Sequence, residues 1–226
     1  MTIRIAIVDS GVNAAHPHVG DVAGGVGIDA DLSESPDYVD RLGHGTAVTA
    51  AIREKAPSAQ LYAVKVFDRV LSTSVERLVA AITWAAERRM HLVNLSLGTS
   101  QPEHADALLA AVKRAAEAGS LIVAAGEHHG VRWLPGSLPE VVKAELDWEC
   151  ARHEVRPVPA ADGTLVFRAS GYPREIPGVP PEYNVKGLSF AVANVCGVLA
   201  RFLETQPDIV SYDDAVCGLA QLARQP

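Results

Sequence analysis

The sequence contains few cysteines, and this shortage already excludes two classes of protein. Its 226 residues include only three, Cys150, Cys196 and Cys217. Three scattered cysteines build neither the disulfide framework of a small secreted protein nor a zinc site. We therefore expect free thiols in a reducing compartment.

Positive charge and long apolar runs are also scarce. The 20 Lys and Arg residues are outnumbered by 27 Asp and Glu residues, which gives a net charge of −7. Without a basic excess to neutralise phosphates, a nucleic-acid partner is not expected. The sequence has no run of about 18 apolar residues, so we predict no membrane span. The first residues lack a signal-peptide pattern, so we expect a cytoplasmic protein.

The remaining composition is that of a globular domain. Hydrophobic residues make up 48% and charged residues 21% of the chain. A chain of this length buries roughly 70% of its unfolded surface, which is enough for a core without covalent cross-links. A single domain spanning residues 1–226 is the simplest organisation.

Short apolar runs alternate with segments of helical period. The runs predict strands over Ile3–Val8, Leu61–Phe67, His91–Ser96, Ser120–Ala125, Val141–Leu146 and Thr164–Ala169. The helical segments begin near Thr46, after Ser74, near Glu103, at Ser189 and after Ser211. This order predicts a three-layer α/β fold with a mostly parallel central sheet. The proline-rich stretch Glu127–Tyr183 is expected to be mainly loops.

Three polar residues follow predicted strands or open predicted helices. Asp9 ends the first strand, His44 precedes a helix in Gly-His-Gly-Thr, and Ser189 opens a late helix. Active sites of open α/β sheets form at such places. Taken singly, an Asp before Ser-Gly is usually a turn former, and a Ser or His at a helix start is usually a cap.

The three residues together resemble the subtilisin-like serine peptidases, which have the same chain order of Asp, His and Ser. Asp9 lies in Asp-Ser-Gly-Val, His44 in His-Gly-Thr, and Ser189 in Gly-Leu-Ser-Phe-Ala, where the family has Gly-Thr-Ser-x-Ala. The segments Val93–Gly98, Ile122–Gly126 and Leu134–Val142 resemble three further family motifs. The resemblance extends from about Ile3 to Leu203.

This resemblance implies nucleophilic acyl transfer on a peptide or protein substrate, without a cofactor. Ser189 would be the nucleophile, His44 the base, and Asp9 the group that orients the imidazole. The residues expected to bind an extended substrate are Ser96, Leu97, Gly98, Ala124, Ala125 and Gly126.

Two positions depart from the family pattern, and both concern the oxyanion. The family has an Asn amide donor where this chain has Glu127, and a Thr where it has Leu188. In subtilisin, from which this value is taken, loss of the Asn donor raises the activation free energy by about 2.7–4 kcal/mol. A buried, protonated Glu127 would donate instead, as would His128 or His129.

Three functions remain open on this basis. The first is a serine peptidase, weakened or specialised by Glu127 and Leu188, that trims peptide precursors. The second is a pseudopeptidase that binds peptides without turnover, and the third is an acyl transferase. Metal sites are not indicated, because Glu127-His128-His129 fits no zinc spacing and Asp29–Asp40 lacks a calcium-loop pattern. We expect Asp29–Asp40 to be a solvated loop.

Overall fold

The computed structural model describes residues 1–160, 162–206 and 211–224. The strands in these ranges are β1 Arg4–Asp9, β2 Gly24–Ile28, β3 Glu34–Ser35, β4 Gln60–Lys65, β5 Leu92–Leu95, β6 Leu121–Ala125, β7 Glu127–His128, β8 Val131–Arg132, β9 Val141–Leu146, β10 Arg156–Pro159 and β11 Leu165–Ala169. The α-helices are α1 His44–Lys55, α2 Val75–Glu87, α3 Ala105–Glu117, α4 Leu188–Glu204 and α5 Tyr212–Leu222. Two 3₁₀ turns cover Pro102–His104 and Pro181–Tyr183.

Nine strands form one sheet in the order β10-β11-β9-β6-β5-β1-β4-β2-β3. The seven inner strands pair in parallel, whereas the edge strands β10 and β3 pair antiparallel with their neighbours. Strands β7 and β8 form a separate antiparallel hairpin. Because β4 and β5 lie on opposite sides of β1, the strand order reverses there, and ligand sites in such sheets form at this point.

Helices cover both faces of the sheet. Helices α1, α4 and α5 pack on one face against side chains such as Ile5 and Ile7. Helices α2 and α3 pack on the other face against Ala6 and Val8. This alternation along β1 follows from the period of two in a strand, and apolar residues on both faces are typical of a covered parallel strand. The predicted three-layer α/β fold is confirmed.

The predicted helix starts are accurate to about two residues. The Ser74 hydroxyl caps α2 by accepting the Arg77 N–H, and the Ser211 hydroxyl caps α5 by accepting the Asp214 N–H. Helix α1 begins at His44, two residues before the predicted start, so His44 is part of the helix. None of the helices in the described ranges has the length and apolarity needed to cross a bilayer.

The sequence pattern missed three strands of the sheet, the two-residue β3 among them, and the small hairpin. Strand β2 reads Gly-Gly-Val-Gly-Ile, and glycine is depleted in strands. Strand β10 reads Arg-Pro-Val-Pro, and proline is tolerated in a sheet mainly at an edge, which is where β10 lies. Both strands form because the sheet offers a partner, which local propensity does not reveal.

Candidate active site

Asp9 and His44 are in direct contact. Asp9 is the last residue of β1 and is fully buried. Its Oδ1 lies 2.7 Å from His44 Nδ1 and accepts the Ser10 N–H, also at 2.7 Å. Gly45 permits this approach, because a Cβ there would lie 2.2 Å from the Gly11 carbonyl oxygen. The contact holds the imidazole with Nδ1 toward Asp9, as an orienting carboxylate does.

His44 is electrostatically poised toward its charged form. Burial lowers the pKa of His44, but the hydrogen bond and charge of Asp9 and the charge of Asp40 outweigh it. The pKa of His44 is therefore raised above its usual 6.5. On its other side the imidazole faces Phe190 of α4, with 5.8 Å between ring centroids. An imidazole stabilised as imidazolium is suited to hold a proton during a reaction.

Ser189 is the second residue of α4, and its hydroxyl points to β5. Its Oγ donates to the Ser96 carbonyl oxygen at 3.2 Å, while Ser96 Oγ donates to the Ser189 carbonyl oxygen at 3.1 Å. The buried Asn94 amide donates to Ser96 Oγ at 2.9 Å. The helix N-cap is Gly187, which has no side chain to accept the first N–H groups. The Ser189 N–H has no partner within the helix and points along a favourable dipole for an anion.

His44 and Ser189 line the same cleft, which encloses about 390 Å³. Three of the predicted substrate residues that follow β5 line it, namely Ser96, Leu97 and Gly98, as does Ala125 of β6. Its other lining residues are Phe67, Leu71, Ser72, Thr73, Trp133, Leu188 and Val192. The cleft therefore places Ser189, the candidate nucleophile, beside residues at the carboxyl ends of β5 and β6.

Two predicted substrate residues lie elsewhere. Ala124 is fully buried in the core between the sheet and helices α2 and α3. Gly126 is also buried, and it faces the side chain of Lys143, whose Cβ would lie 3.3 Å from a Cβ at position 126. Alternate residues of a strand point to opposite sides, so Ala125 faces the cleft and its two neighbours do not.

Glu127, the predicted oxyanion position, is not among the residues that line the cleft. It is exposed on β7, opposite Arg132 of β8, and lines a groove with Lys143. His128 and His129, whose tilted rings have centroids 4.0 Å apart, border a further groove beside Trp148. Glu127, His128 and His129 all lie away from Ser189, because the hairpin directs the chain outward after Gly126.

Sequence reasoning missed Trp133 and Asp40. Trp133 follows the hairpin and lines the cleft. Its backbone N–H donates to the Gly126 carbonyl oxygen at 3.0 Å, and this contact holds the segment in place. The sequence signal for Trp133 was its position directly before Leu134-Pro135, in a segment that resembles a family motif.

Asp40 was assigned to a solvated loop, whereas its carboxylate accepts hydrogen bonds from Ser10 and Thr46.

The described ranges contain no candidate metal centre and no disulfide. There, no group of three or more His, Cys, Asp or Glu side chains is arranged to hold a metal ion. The three cysteines are free, with Cys150 and Cys196 buried. Burial raises the pKa of the Cys196 thiol far above its usual value, which disfavours the reactive thiolate.

Comparison with known proteins agrees with the fold and the residue pattern. The model of the subtilase family matches residues 2–141. A thermostable alkaline protease of Halalkalibacterium halodurans is 40% identical over 136 residues, which are 56% of this chain and 36% of that protein. Subtilisin of Bacillus pumilus is 28% identical over 230 residues, covering 91% of this chain and 78% of its own length.

A solved structure extends the likeness of fold to nearly the whole chain. Sphericase superposes with a TM-score of 0.73 over 97% of this chain and 82% of its own, at 24% identity. The first relatives are longer than the matched region, which spans 36% of the alkaline protease and 20% of the minor extracellular protease Epr of Bacillus subtilis. The match over residues 2–141 covers more than half of the chain. The chain belongs to the subtilase family.

Proposed function

We propose that the protein is a serine peptidase that cleaves peptide bonds with Ser189, His44 and Asp9. The observation that carries this proposal is the 2.7 Å contact between Asp9 Oδ1 and His44 Nδ1, at the cleft that also contains Ser189. A carboxylate, an imidazole and a hydroxyl in these roles activate a serine that is otherwise a weak nucleophile.

The reaction would begin with rotation of the Ser189 hydroxyl from the Ser96 carbonyl oxygen toward His44. His44 takes the hydroxyl proton as Ser189 Oγ bonds to the substrate carbonyl carbon, and Asp9 stabilises the imidazolium. The oxyanion accepts the Ser189 N–H at the start of α4. His44 then protonates the departing amine, and water hydrolyses the acyl-enzyme by the same proton transfers.

The walls of the cleft favour an extended peptide with a small side chain before the scissile bond. Ser96, Leu97 and Gly98 continue from the end of β5, and extended peptides bind such backbone by strand addition. Gly98 and Ala125 line the cleft next to Ser189 together with Trp133. The large Trp133 limits the space for the substrate side chain, which favours a small one. Short peptide precursors in the cytoplasm fit this description, and the free thiols favour a reducing compartment.

A second candidate function, peptide binding without turnover, is favoured by two observations. Glu127 lies outside the cleft, so the side-chain donor that the family places there is missing. The Ser189 hydroxyl is engaged by the Ser96 carbonyl oxygen instead of His44. An acyl transferase would use the same intermediate with an amine as acceptor in place of water.

A fluorophosphonate probe, which labels activated serines, tests the proposal. We expect labelling of the wild type and of Ser72→Ala, which removes an exposed serine of the same cleft, and none in Ser189→Ala. Labelling that persists in Ser189→Ala contradicts the assignment of the nucleophile. A wild type that binds peptides in the cleft without labelling or cleaving is a pseudopeptidase, and a labelled enzyme that forms amide products from added amines is a transferase.

A further inference from the structure

The Asp40 carboxylate is the most densely hydrogen-bonded acidic group near His44. Its Oδ1 accepts the Ser10 hydroxyl at 2.9 Å and the N–H groups of Leu42 at 2.9 Å and Gly43 at 2.8 Å. Its Oδ2 accepts the Thr46 N–H at 2.9 Å and the Thr46 hydroxyl at 2.6 Å. Five donors on one half-buried carboxylate fix its position and keep it ionised.

Asp40 supplies the capping side chain that the N-cap residue of helix α1 lacks. The N-cap residue is Gly43, with φ of 85° and no side chain to accept a first-turn N–H. Asp40 accepts the Thr46 N–H, and Ser10 Oγ accepts the Gly45 N–H at 2.9 Å. A carboxylate at this helix end both satisfies unpaired donors and complements the helix dipole.

The same contacts join the two segments that carry Asp9 and His44. Ser10 directly follows Asp9, and its hydroxyl donates to Asp40 while accepting from Gly45, the residue after His44. The distance between Asp9 and His44 is therefore set by a bridge through Ser10 and Asp40 in addition to their own hydrogen bond. Such outer contacts commonly decide whether a reactive pair keeps its geometry.

Asp40 also acts on His44 through its charge. Burial raises the pKa of Asp40, but the hydrogen bonds from Thr46, Leu42 and Gly43 outweigh it and lower the pKa overall, so Asp40 is an anion at neutral pH. The charged groups that raise the pKa of His44 are Asp9, from β1, and Asp40, from the loop before α1. From α4, His44 faces the uncharged ring of Phe190.

We propose that Asp40 is a positioning residue of the active site. Its carboxylate holds the start of α1 against the end of β1, and its charge stabilises the imidazolium that forms when His44 accepts the Ser189 proton. The inference rests on the proposed function for its consequence in catalysis, whereas its effect on His44 exists with or without turnover.

The test is an NMR titration of the His44 imidazole in the wild type, Asp40→Asn and Asp31→Asn, with the resonance assigned from His44→Gln. Asp31→Asn makes the same change of charge at an exposed loop residue whose carboxylate accepts hydrogen bonds from Ser33. We expect the His44 pKa to fall by about 0.5–1 unit in Asp40→Asn and to stay unchanged in Asp31→Asn. An unchanged value in a folded Asp40→Asn, or an equal fall in both variants, overturns the proposal.

Ser10→Ala tests the positional half of the proposal and remains informative if Asp40→Asn does not fold. It removes the bridge to Gly45 and leaves the Asp40 charge in place. We expect kcat/KM to fall about tenfold while the acid limb of the pH profile stays where it is in the wild type. If the wild type is inactive, the readout is the solvent exchange of the His44 Nδ1 proton, which we expect to be faster in Ser10→Ala. A Ser10→Ala variant with the wild-type kcat/KM and the wild-type exchange rate overturns the positional role.

Failure of the proposed function has a different signature. A wild type that neither labels with the fluorophosphonate nor cleaves peptides removes the peptidase assignment, while the NMR titration still decides whether Asp40 acts on His44.

Discussion

The Ser189 hydroxyl donates to the Ser96 carbonyl oxygen at 3.2 Å, and this bond keeps the serine turned away from His44. Ser96 is also held by the buried Asn94 amide, so the resting position of Ser189 depends on a short chain of hydrogen bonds from β5 to α4. The proposed reaction requires these hydrogen bonds to release the hydroxyl while the start of α4 stays in place.

Replacement of Ser96 by Ala is expected to destabilise the fold. It removes the acceptor of the buried Asn94 Nδ2 and the donor to the Ser189 carbonyl oxygen. A buried amide left unpaired costs about 1–3 kcal/mol. Urea denaturation of Ser96→Ala and of the exposed control Ser72→Ala measures this cost. Equal stability of the two variants would show that water replaces the lost contacts.

The pH dependence of activity should follow the raised pKa of His44. Neutral His44 is the base, so kcat/KM is expected to rise with pH through a pKa above 6.5, the usual value. A pH–rate profile with a peptide substrate measures the limb. A limb at or below pH 6.5 contradicts the raised pKa of His44.

The stability linked to His44 should vary with pH in the opposite direction. Folding raises the pKa of His44, so the folded protein binds this proton more tightly than the unfolded chain does. The stabilisation is fully present below the usual value of 6.5 and is lost as pH rises through the raised pKa. The free energy of unfolding of the wild type, compared with His44→Gln across this range, checks the sign.

Replacement of Glu127 by Asn should change activity little. Glu127 is exposed and lines a groove apart from the cleft, so the change to Asn alters none of the residues that line the cleft. We expect kcat/KM within about twofold of the wild type at pH 7, which is a change of about 0.4 kcal/mol in the activation free energy. A rise of an order of magnitude would mean that the β7–β8 hairpin turns toward Ser189 during the reaction.

Replacement of Trp133 by Ala should broaden the accepted substrates. Trp133 lines the cleft together with Gly98 and Ala125, so we expect its truncation to make room for larger side chains before the scissile bond. We expect the kcat/KM ratio of a Phe to an Ala substrate to rise about tenfold or more. Trp148→Ala is the control, because Trp148 lines a separate groove and should leave this ratio unchanged.

The sequence predicted those parts of the molecule that depend on local pattern. The β-branched run at Ile3–Val8 and the cap at Ser74 depend on neighbouring residues alone, and the structure has a strand and a helix there. The candidate site was predicted differently, from the resemblance of the motifs around Asp9, His44 and Ser189 to the subtilisin-like serine peptidases. Strand β2, with three glycines, forms only because β4 is beside it.

The placement of Glu127 and Asp40 was not predictable from local pattern. Glu127 follows Gly126, whose carbonyl oxygen accepts the Trp133 N–H, so a contact across a hairpin directs it outward. Asp40 belongs to an acidic stretch that reads as solvated loop, and its partners Ser10 and Thr46 lie on either side in the chain. Such contacts depend on how distant loops close over one another.

The two edges of the sheet resist growth by addition of another strand. At one edge β10 contains Pro157 and Pro159, which have no N–H to offer a neighbour, and at the other β3 has only two residues, including the charged Glu34. A protein that we propose to bind an extended chain in its cleft thus presents poor templates for one at the edges of its sheet. Concentrated solutions should therefore resist the edge-to-edge aggregation to which open sheets are prone.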